Sequence, residues 1–277
     1  MKMLRSRPGF SLAETLVTMA IMGIIGVAVT QLMVSQSKFF NEQSSQMNAR
    51  SVSRSATSMV IQELRMLDVG GGVVAAASDS ITIRVPYRMG IVCSNLGGVT
   101  TASFLPVDSS LNAIAGLSGY AWRDTTTGNY TYEETGVTAI DGVAATCTAA
   151  QIPTIAAHKV LAITPTATSA PLATPIFLFQ RVTYKFKNST SVPGSIGLFR
   201  RVVATNTEEE LVAPFDTAAK FRFYDLNSTT AQAAVPSPLS NLRGVELVLT
   251  ARSERPTNTG ATTSQYTTAV WFKNRVN

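Results

Sequence analysis

A long, mostly apolar run lies close to the N-terminus. Phe10 to Val34 reads FSLAETLVTMAIMGIIGVAVTQLMV, and residues 15–37 carry no charge. Because a helix rises about 1.5 Å per residue, the uncharged stretch spans roughly 35 Å, enough to cross a hydrocarbon core about 30 Å thick. The pattern therefore predicts a transmembrane helix.

Beyond this run the helical periodicity continues and becomes amphipathic. From Lys38 to Leu67, apolar residues recur at spacings of three and four: Val52, Ala56, Met59, Val60, Leu64 and Leu67. No proline interrupts residues 10–67, so we expect one helix of about 87 Å whose second part, residues 39–69, packs on a globular head. The three glycines at 70–72 tolerate positive φ and are predicted to end the helix.

After the glycines, apolar residues alternate with polar ones, as in half-buried strands. The alternation is clearest at 182–186 and 245–249. We predict strands at 80–87, 158–164, 176–187, 196–204, 219–226, 244–252 and 265–273. The fold class is therefore α+β, with a long N-terminal helix packed on an antiparallel β-sheet head formed by residues 70–277.

The first nine residues, MKMLRSRPG, form a short basic leader. They lack the apolar region and the small-residue cleavage site of a secretory signal. Their cations Lys2, Arg5 and Arg7 favour a cytoplasmic N-terminus, which leaves the residues after 38 outside the inner membrane. Without the leader, 20 basic residues face 17 acidic ones, a net charge of +3. No block of like charge or long basic stripe indicates a nucleic-acid surface.

Two cysteines, Cys93 and Cys147, both fall in the part of the chain that is predicted to lie outside the inner membrane. A disulfide is expected in that oxidising compartment. Closing a loop of roughly 55 residues contributes on the order of 4 kcal/mol in the chain-entropy model. Two buried free thiols are the alternative.

The boundary between leader and apolar run carries a motif: Gly9 and Phe10 begin the string GFSLAETL, with Glu14 four residues after Phe10. This arrangement resembles the type IV prepilin signature. The resemblance implies that prepilin peptidase removes residues 1–9, cutting between Gly9 and Phe10, and methylates the new amino group of Phe10. It also implies that residues 10–38 form the transmembrane and assembly helix, and that Glu14 guides assembly.

Glu14 breaks the apolar pattern, since a carboxylate costs about 2.5 to 3.5 kcal/mol at mid-membrane. Cleavage would give Phe10 an α-ammonium that stays charged after methylation, and therefore a cationic partner for Glu14. In a packed filament, a salt bridge between Glu14 of one subunit and Phe10 of another would set the axial register. A plain signal anchor with a stray glutamate is the alternative.

The C-terminal half extends the resemblance. The strings RVTYKFKN, GLFRRV, FRFYDL, NLRGVELVLTARSE and AVWFKN follow one another within about 176–274. Their order is similar to that in PilW-like and PulJ-like minor pilins, which implies a lollipop-shaped pilin fold. Residues 94–157 lie outside this similarity. We interpret them as a loop-rich insertion in the head, part of which a bond between Cys93 and Cys147 would staple.

The insertion holds two groups of candidate binding residues. One is aromatic and forms either the core of the insertion, which we favour, or an exposed binding surface: Tyr120, Trp122, Tyr130 and Tyr132. The other is rich in oxygen: Asp124, Asn129, Glu133 and Asp141. Its spacing fits no EF-hand loop. We therefore predict no metal site.

Catalytic motifs are missing from the sequence. His158 is the single histidine, which leaves almost nothing for an acyl-transfer triad or a histidine-rich metal site. There is no nucleophile elbow, Walker A loop or dinucleotide fingerprint. The adjacent carboxylates Glu133 and Glu134 are typical of a solvated surface. We predict a non-enzymatic protein without a cofactor.

These observations favour a minor pilin or pseudopilin of a type IV pilus, a type II secretion pseudopilus or a competence machine, in the tip or initiation complex. We expect a single-pass inner-membrane protein with a periplasmic head, later carried into a filament at the cell surface. Its expected partners are prepilin peptidase and other pilins, which it contacts through the N-terminal helix. The alternative is an adhesin-like, membrane-anchored binding protein that uses the prepilin export route without joining a filament.

Overall fold

The N-terminal helix α1 runs unbroken from Leu12 to Leu64, a length of 53 residues or about 80 Å. The computed structural model describes residues 11–67, 70–105, 116–152, 158–167, 170–253 and 263–272. The α-helix ends at Leu64, five residues before the end of the predicted segment 39–69. There the Met66 N–H donates to the Glu63 carbonyl at 3.1 Å, which tightens the last turn.

The head is built from antiparallel strands and one short second helix, α2 (Ala144–Ala149). The strands among the described residues are β1 (Val73–Ala77), β2 (Ser80–Leu96), β3 (Val99–Phe104), β4 (Gly119–Arg123), β5 (Tyr130–Glu133), β6 (Thr138–Asp141), β7 (Lys159–Thr164), β8 (Pro175–Asn188), β9 (Ile196–Val202), β10 (Thr207–Phe215), β11 (Lys220–Asp225), β12 (Leu242–Arg252) and β13 (Thr263–Trp271). All seven strands that alternation predicts are present. The predicted α+β fold, a long helix on an antiparallel head, is confirmed.

One sheet connects these strands in the order β11-β12-β10-β9-β8-β2-β3-β7-β6. The long strands β8 and β2 pair from Ser80↔Lys185 to Ile91↔Pro175 and form its centre. On the other side of β8, β9 pairs with the C-terminal half and β4 with the N-terminal half. β5 extends the sheet from β4, β1 pairs with β2, and β13 pairs with β12.

Helix α1 divides into an exposed half and a packed half. Residues 11–44 are all exposed. Buried positions then recur every three or four residues: Ser45, Ala49, Ser53, Ala56, Val60, Ile61 and Leu64. This stripe packs against apolar residues of β2, β8, β11 and β12 to form the helix–sheet core. Among the described residues, α1 is the one helix long and apolar enough to cross a membrane.

The packed stripe differs from the predicted one in two respects. Met59 is 43% exposed whereas Val60 is fully buried, because neighbouring helix residues point about 100° apart. The stripe also begins earlier, with Ser45, Ala49 and Ser53, whose small side chains let the sheet approach the helix closely. The spacing of large apolar residues does not predict that these small or polar residues are buried.

A second core lies further along β8, in the part of the sheet that β3, β4 and β7 share. It includes Phe104, Tyr120, Trp122 and Leu161. Ile176 and Leu178 of β8 belong to this core, while residues 182–186 of the same strand belong to the helix–sheet core. Since these β8 residues are all even-numbered, both cores lie on one face of the strand.

The segment 94–157, predicted as a loop-rich insertion, contributes more strand than its sequence indicates. Besides its turns it holds β3, β4, β5, β6 and α2. These strands are only four to six residues long and are rich in Thr, Ala and Gly, so their alternation is weak. Residues 106–115 and 153–157 of this segment lie outside the described residues.

Candidate functional site

The start of α1 carries a reciprocal pair of hydrogen bonds between Ser11 and Glu14. The Ser11 hydroxyl accepts from the Glu14 N–H at 3.3 Å, and Glu14 Oε2 accepts from the Ser11 N–H at 2.9 Å. This capping box satisfies two of the N–H groups that a helix start leaves open. It also places a carboxylate at the positive end of the helix dipole. Glu14 is therefore held at the helix N-terminus.

The predicted cleavage site lies immediately before this box. Gly9 and Phe10 are outside the described residues, so the site is described from Ser11 onwards. Ser11 directly follows Phe10, and consecutive Cα atoms are about 3.8 Å apart. The backbone group that Glu14 binds is therefore one residue from the amine that cleavage would create. The spacing S-x-x-E of Ser11 and Glu14 is a capping signal that is visible in the sequence.

Three threonines in the apolar part of the exposed half form hydrogen bonds within the helix. The hydroxyls of Thr15, Thr18 and Thr30 donate to the carbonyls of Leu12, Glu14 and Gly26 at 2.8 to 2.9 Å. Such bonds suit a segment that enters hydrocarbon, where each open polar group costs several kcal/mol. The surface of this half is therefore mostly apolar from Thr15 to Val34 and becomes polar from Ser35 onwards.

Two glycines of the exposed half, Gly23 and Gly26, have open space around them. A Cβ added to either would meet no atom within 4 Å. Nothing in the single chain therefore requires a glycine at these positions. Close packing at either glycine would have to come from another helix.

The junction between α1 and the head is fixed by one partly buried carboxylate. Glu63 accepts from the Tyr184 hydroxyl at 2.7 Å and from Arg200 Nε and a terminal guanidinium nitrogen at 3.2 and 3.0 Å. Burial raises the pKa of Tyr184, and the charge of Glu63 raises it further. The three residues are separated by 121 and 137 positions, so no local sequence signal predicts the cluster.

Cys93 and Cys147 are joined by a disulfide, with their Cα atoms 4.8 Å apart. The predicted bond is thus present, in place of two free thiols. Both residues are buried in a small cluster with Val160 and Ile152. The bond ties α2 to β2 across the insertion.

The aromatic group of the insertion splits between two sites. Tyr120 and Trp122 stack with ring centroids 5.6 Å apart and are buried in the second core, as favoured. Tyr130 and Tyr132 instead contact Phe177 and Phe179, with centroids 5.8 and 5.7 Å apart. Phe177 and Phe179 are odd-numbered residues of β8, so this second group lies on the opposite face of the sheet.

This second aromatic group lines a cavity of about 180 Å³ beside the end of α1. The Arg84 guanidinium lies 4.5 Å from the centre of the Tyr132 ring and 2.7 Å from Glu134. Gly71, at φ +127°, packs closely on Tyr132, since a Cβ there would approach the ring to 2.8 Å. The cavity is smaller than the roughly 300 to 1,000 Å³ of most ligand pockets.

The oxygen-rich residues of the insertion are scattered rather than gathered. Asp124 accepts from the Thr126 N–H at 2.7 Å, and this bond and one from the Thr127 N–H lower its pKa. Asp141 pairs with Lys159 at 2.8 Å, and Glu133 accepts from the Thr135 N–H at 3.0 Å. In the part of the chain that the structure describes, no three His, Cys, Asp or Glu residues are placed to hold a metal ion.

One comparison with known proteins finds a match. Residues 4–30 match the family model described as the prokaryotic N-terminal methylation motif. No curated protein and no solved structure matches the chain. The match covers residues 4–9 of the leader, the predicted cleavage boundary and the first part of α1. Together with the exposed apolar helix it supports a type IV prepilin-like, exported and membrane-anchored protein.

Proposed function

We propose that this chain is a minor pilin or pseudopilin, a structural subunit that joins a filament through α1. The observation that carries the proposal is a methylation motif at 4–30 on a helix whose residues 11–44 are exposed and whose remainder is packed on a sheet. An apolar surface of this length needs lipid before assembly and neighbouring helices afterwards.

The proposed maturation follows from the motif. Prepilin peptidase removes the leader 1–9 by cutting between Gly9 and Phe10, and Phe10 becomes N-methylated. The leader cations first hold the N-terminus in the cytoplasm and leave the head in the periplasm. The mature subunit then passes from the inner membrane into a filament at the cell surface.

The capping box gives Glu14 a partner in the single chain, before any filament forms. Its Oε2 accepts from the Ser11 N–H, beside the position of the new Phe10 amine. In the membrane, Glu14 and Phe10 of one chain can neutralise each other near the headgroups. In a filament, the carboxylate exchanges this contact for the amine of a neighbouring subunit, where the low dielectric strengthens the pairing.

A minor role, in the tip or initiation complex, fits the size and order of the head. The chain has 277 residues, more than the major pilins that the resemblance points to, and the strands from β8 to β13 follow the segment order that resembles PilW-like and PulJ-like minor pilins. Among the described residues, Glu63, Glu134 and Asp141 are engaged in ion pairs, Asp124 in a turn and Glu14 in a helix cap. We therefore propose a structural role without a cofactor.

A membrane-anchored binding protein is the second candidate, and the cavity lined by Tyr130, Tyr132, Phe177 and Phe179 is the observation that favours it. Such a protein would be processed but would remain in the membrane. An experiment separates the two candidate functions. Sheared filaments and membranes are purified from cells with and without prepilin peptidase, and both fractions are probed for this chain. Peptidase-dependent recovery in filaments supports the filament subunit, whereas processed chain confined to membranes contradicts it.

A further inference from the structure

Strand β13 forms one edge of the sheet. It pairs with β12 without a register shift, from Gly244↔Trp271 to Arg252↔Thr263. Among the described residues no other strand pairs with it. Its outer backbone N–H and C=O groups therefore face away from the sheet over the length of the strand.

This edge lacks the features that natural proteins use to prevent pairing between sheets. Its sequence, TSQYTTAVW, contains no charged residue, proline or glycine. The strand is nine residues long, has no bulge, and exposes Gln265, Thr267 and Ala269. A long, regular and uncharged edge is a template for another strand.

The other edges in the described part of the sheet are protected. β11 carries Lys220, Arg222 and Asp225, and Phe223 forms a bridge with Gln232 on its outer side. β5 and β6 are four residues long and each ends in an acidic residue. β1 is five residues long and has a register shift. The outer side of β10 pairs with β12 at Phe215 alone, and its unpaired part carries three glutamates at 208–210. Among the edge strands that the structure describes, β13 is thus the one that is long, regular and uncharged.

A second copy of this chain is a poor partner for β13. The contacts of α1 with β10, β12 and β13 lay the helix across the face of the sheet. A symmetric β13–β13 contact would run antiparallel about a two-fold axis perpendicular to the sheet, and this axis would also reverse α1. Two such chains could not both insert their N-termini into one membrane. The remaining edges of a second copy are short, charged or covered.

We propose that β13 pairs with an exposed edge strand in the head of a different pilin-like subunit and so continues the sheet across the two proteins. This inference rests on the proposed function, because a neighbour packed along α1 brings its head beside β13, which α1 contacts. Main-chain hydrogen bonds supply the affinity, and the exposed side chains at every second position set the register.

Site-specific photo-crosslinking of the full-length chain in cells tests the register. A photoreactive side chain is placed in turn at Gln265, Thr267 and Ala269, with Thr207, an exposed residue at the start of β10, as control. We expect crosslinks to one other pilin-like chain, whose reacting residue moves by two for each step along β13. Crosslinks to scattered residues, to this chain alone, or equally from Thr207 would overturn the inference.

A charge on the edge supplies a second test. Thr267→Lys should leave the membrane-bound, processed chain at its normal level but lower its recovery in filaments about tenfold and abolish the crosslink from Ala269. Thr207→Lys should change neither. If wild-type chain enters filaments but Thr267→Lys enters equally and no β13 crosslink forms, the pairing is wrong and the filament role stands. If wild-type chain never enters filaments, the proposed function itself fails.

Discussion

At the scale of single residues, Glu14 combines a local and an intermolecular role. In the chain it completes the capping box with Ser11, and substitution of such a group costs a helix start about 0.5 to 2 kcal/mol. In a filament its proposed partner is an α-ammonium, which would otherwise bear the several kcal/mol of a lone buried charge. The larger cost therefore falls on assembly.

Glu14→Ala should accordingly leave processing largely intact and remove the subunit from filaments. Glu42→Ala, which removes an exposed carboxylate further along α1, is the matched control and should assemble normally. A Gly9 substitution should instead block cleavage. The measurement is the ratio of processed chain in sheared filaments to that in membranes. Wild-type recovery of Glu14→Ala in filaments would show that Glu14 is not an assembly determinant.

Glu63 fixes the head to α1, and its loss should weaken the helix–sheet core. Glu63→Ala removes bonds from Tyr184, which is buried, and from Arg200, which is partly buried. We expect this to lower the free energy of unfolding by about 2 to 3 kcal/mol. Glu208→Ala, which removes a surface ion pair with Lys187, should cost less than about 1 kcal/mol. Urea unfolding of the full chain in detergent compares them, and equal losses would contradict this account.

Glu210 should make the stability of the head depend on acid pH. Burial raises its pKa, but hydrogen bonds from Ser189, Thr190 and Ser191 outweigh this effect and lower the pKa from 4.5 to about 2. The folded state thus holds its proton more weakly than the unfolded state. The stabilisation from Glu210 is present above about pH 4.5 and is lost as the pH falls towards about 2.

Thermal unfolding across this pH window tests the Glu210 effect. The melting temperature of the wild type should exceed that of Glu210→Gln above pH 4.5, and the two should converge as the pH falls. Glu209→Gln, a change at the neighbouring exposed carboxylate, should follow the wild type. A gap between wild type and Glu210→Gln that stays constant down to about pH 2 would refute the assignment.

At the scale of elements, the disulfide anchors the insertion to the central sheet. It closes a loop of 54 residues between β2 and α2, for which the chain-entropy model gives about 4 kcal/mol. The double substitution Cys93→Ser with Cys147→Ser should lower the free energy of unfolding by about 2 to 4 kcal/mol. The wild type in reductant should have the same free energy of unfolding as the double variant. Reductant should not change the free energy of unfolding of the variant. Two thiols labelled in denatured, unreduced protein would disprove the bond.

Strands with strong alternation were predictable from the sequence, and the others were not. β8 places an apolar residue at every second position from 182 to 186, and β12 does so from 245 to 249, so a period of two is visible without any partner. β10 was missed because Glu208, Glu209 and Glu210 make its first half resemble a charged loop. Its strand conformation depends on pairing with β9, which is a non-local interaction.

The candidate site, too, was predictable from the sequence only in part. The leader, Gly9, Phe10 and Glu14 are contiguous, so their motif could be recognised from sequence alone. The contacts of Glu63 with Tyr184 and Arg200 join residues more than a hundred positions apart, and only the folded sheet brings them together. The exposed edge of β13 also follows from strand order rather than from its own sequence.

At the scale of the whole molecule, α1 joins two environments. Its exposed residues 11–44 extend about 50 Å from the sheet, which is more than the hydrocarbon core of a membrane requires. The remaining length holds the head away from the bilayer and presents Phe39 and Phe40, which are exposed in the single chain. A filament in which neighbouring helices cover this surface would account for both its length and its apolar character.

Mass spectrometry of the N-terminal peptide from sheared, purified filaments tests the central claim most directly, because it reads processing and assembly in one sample. The account predicts that the filament fraction contains this chain and that its first residue is Phe10, N-methylated. The same peptide should be missing from cells without prepilin peptidase. An intact Met1 terminus in mature protein, or processed chain that occurs in membranes and never in filaments, would contradict the account.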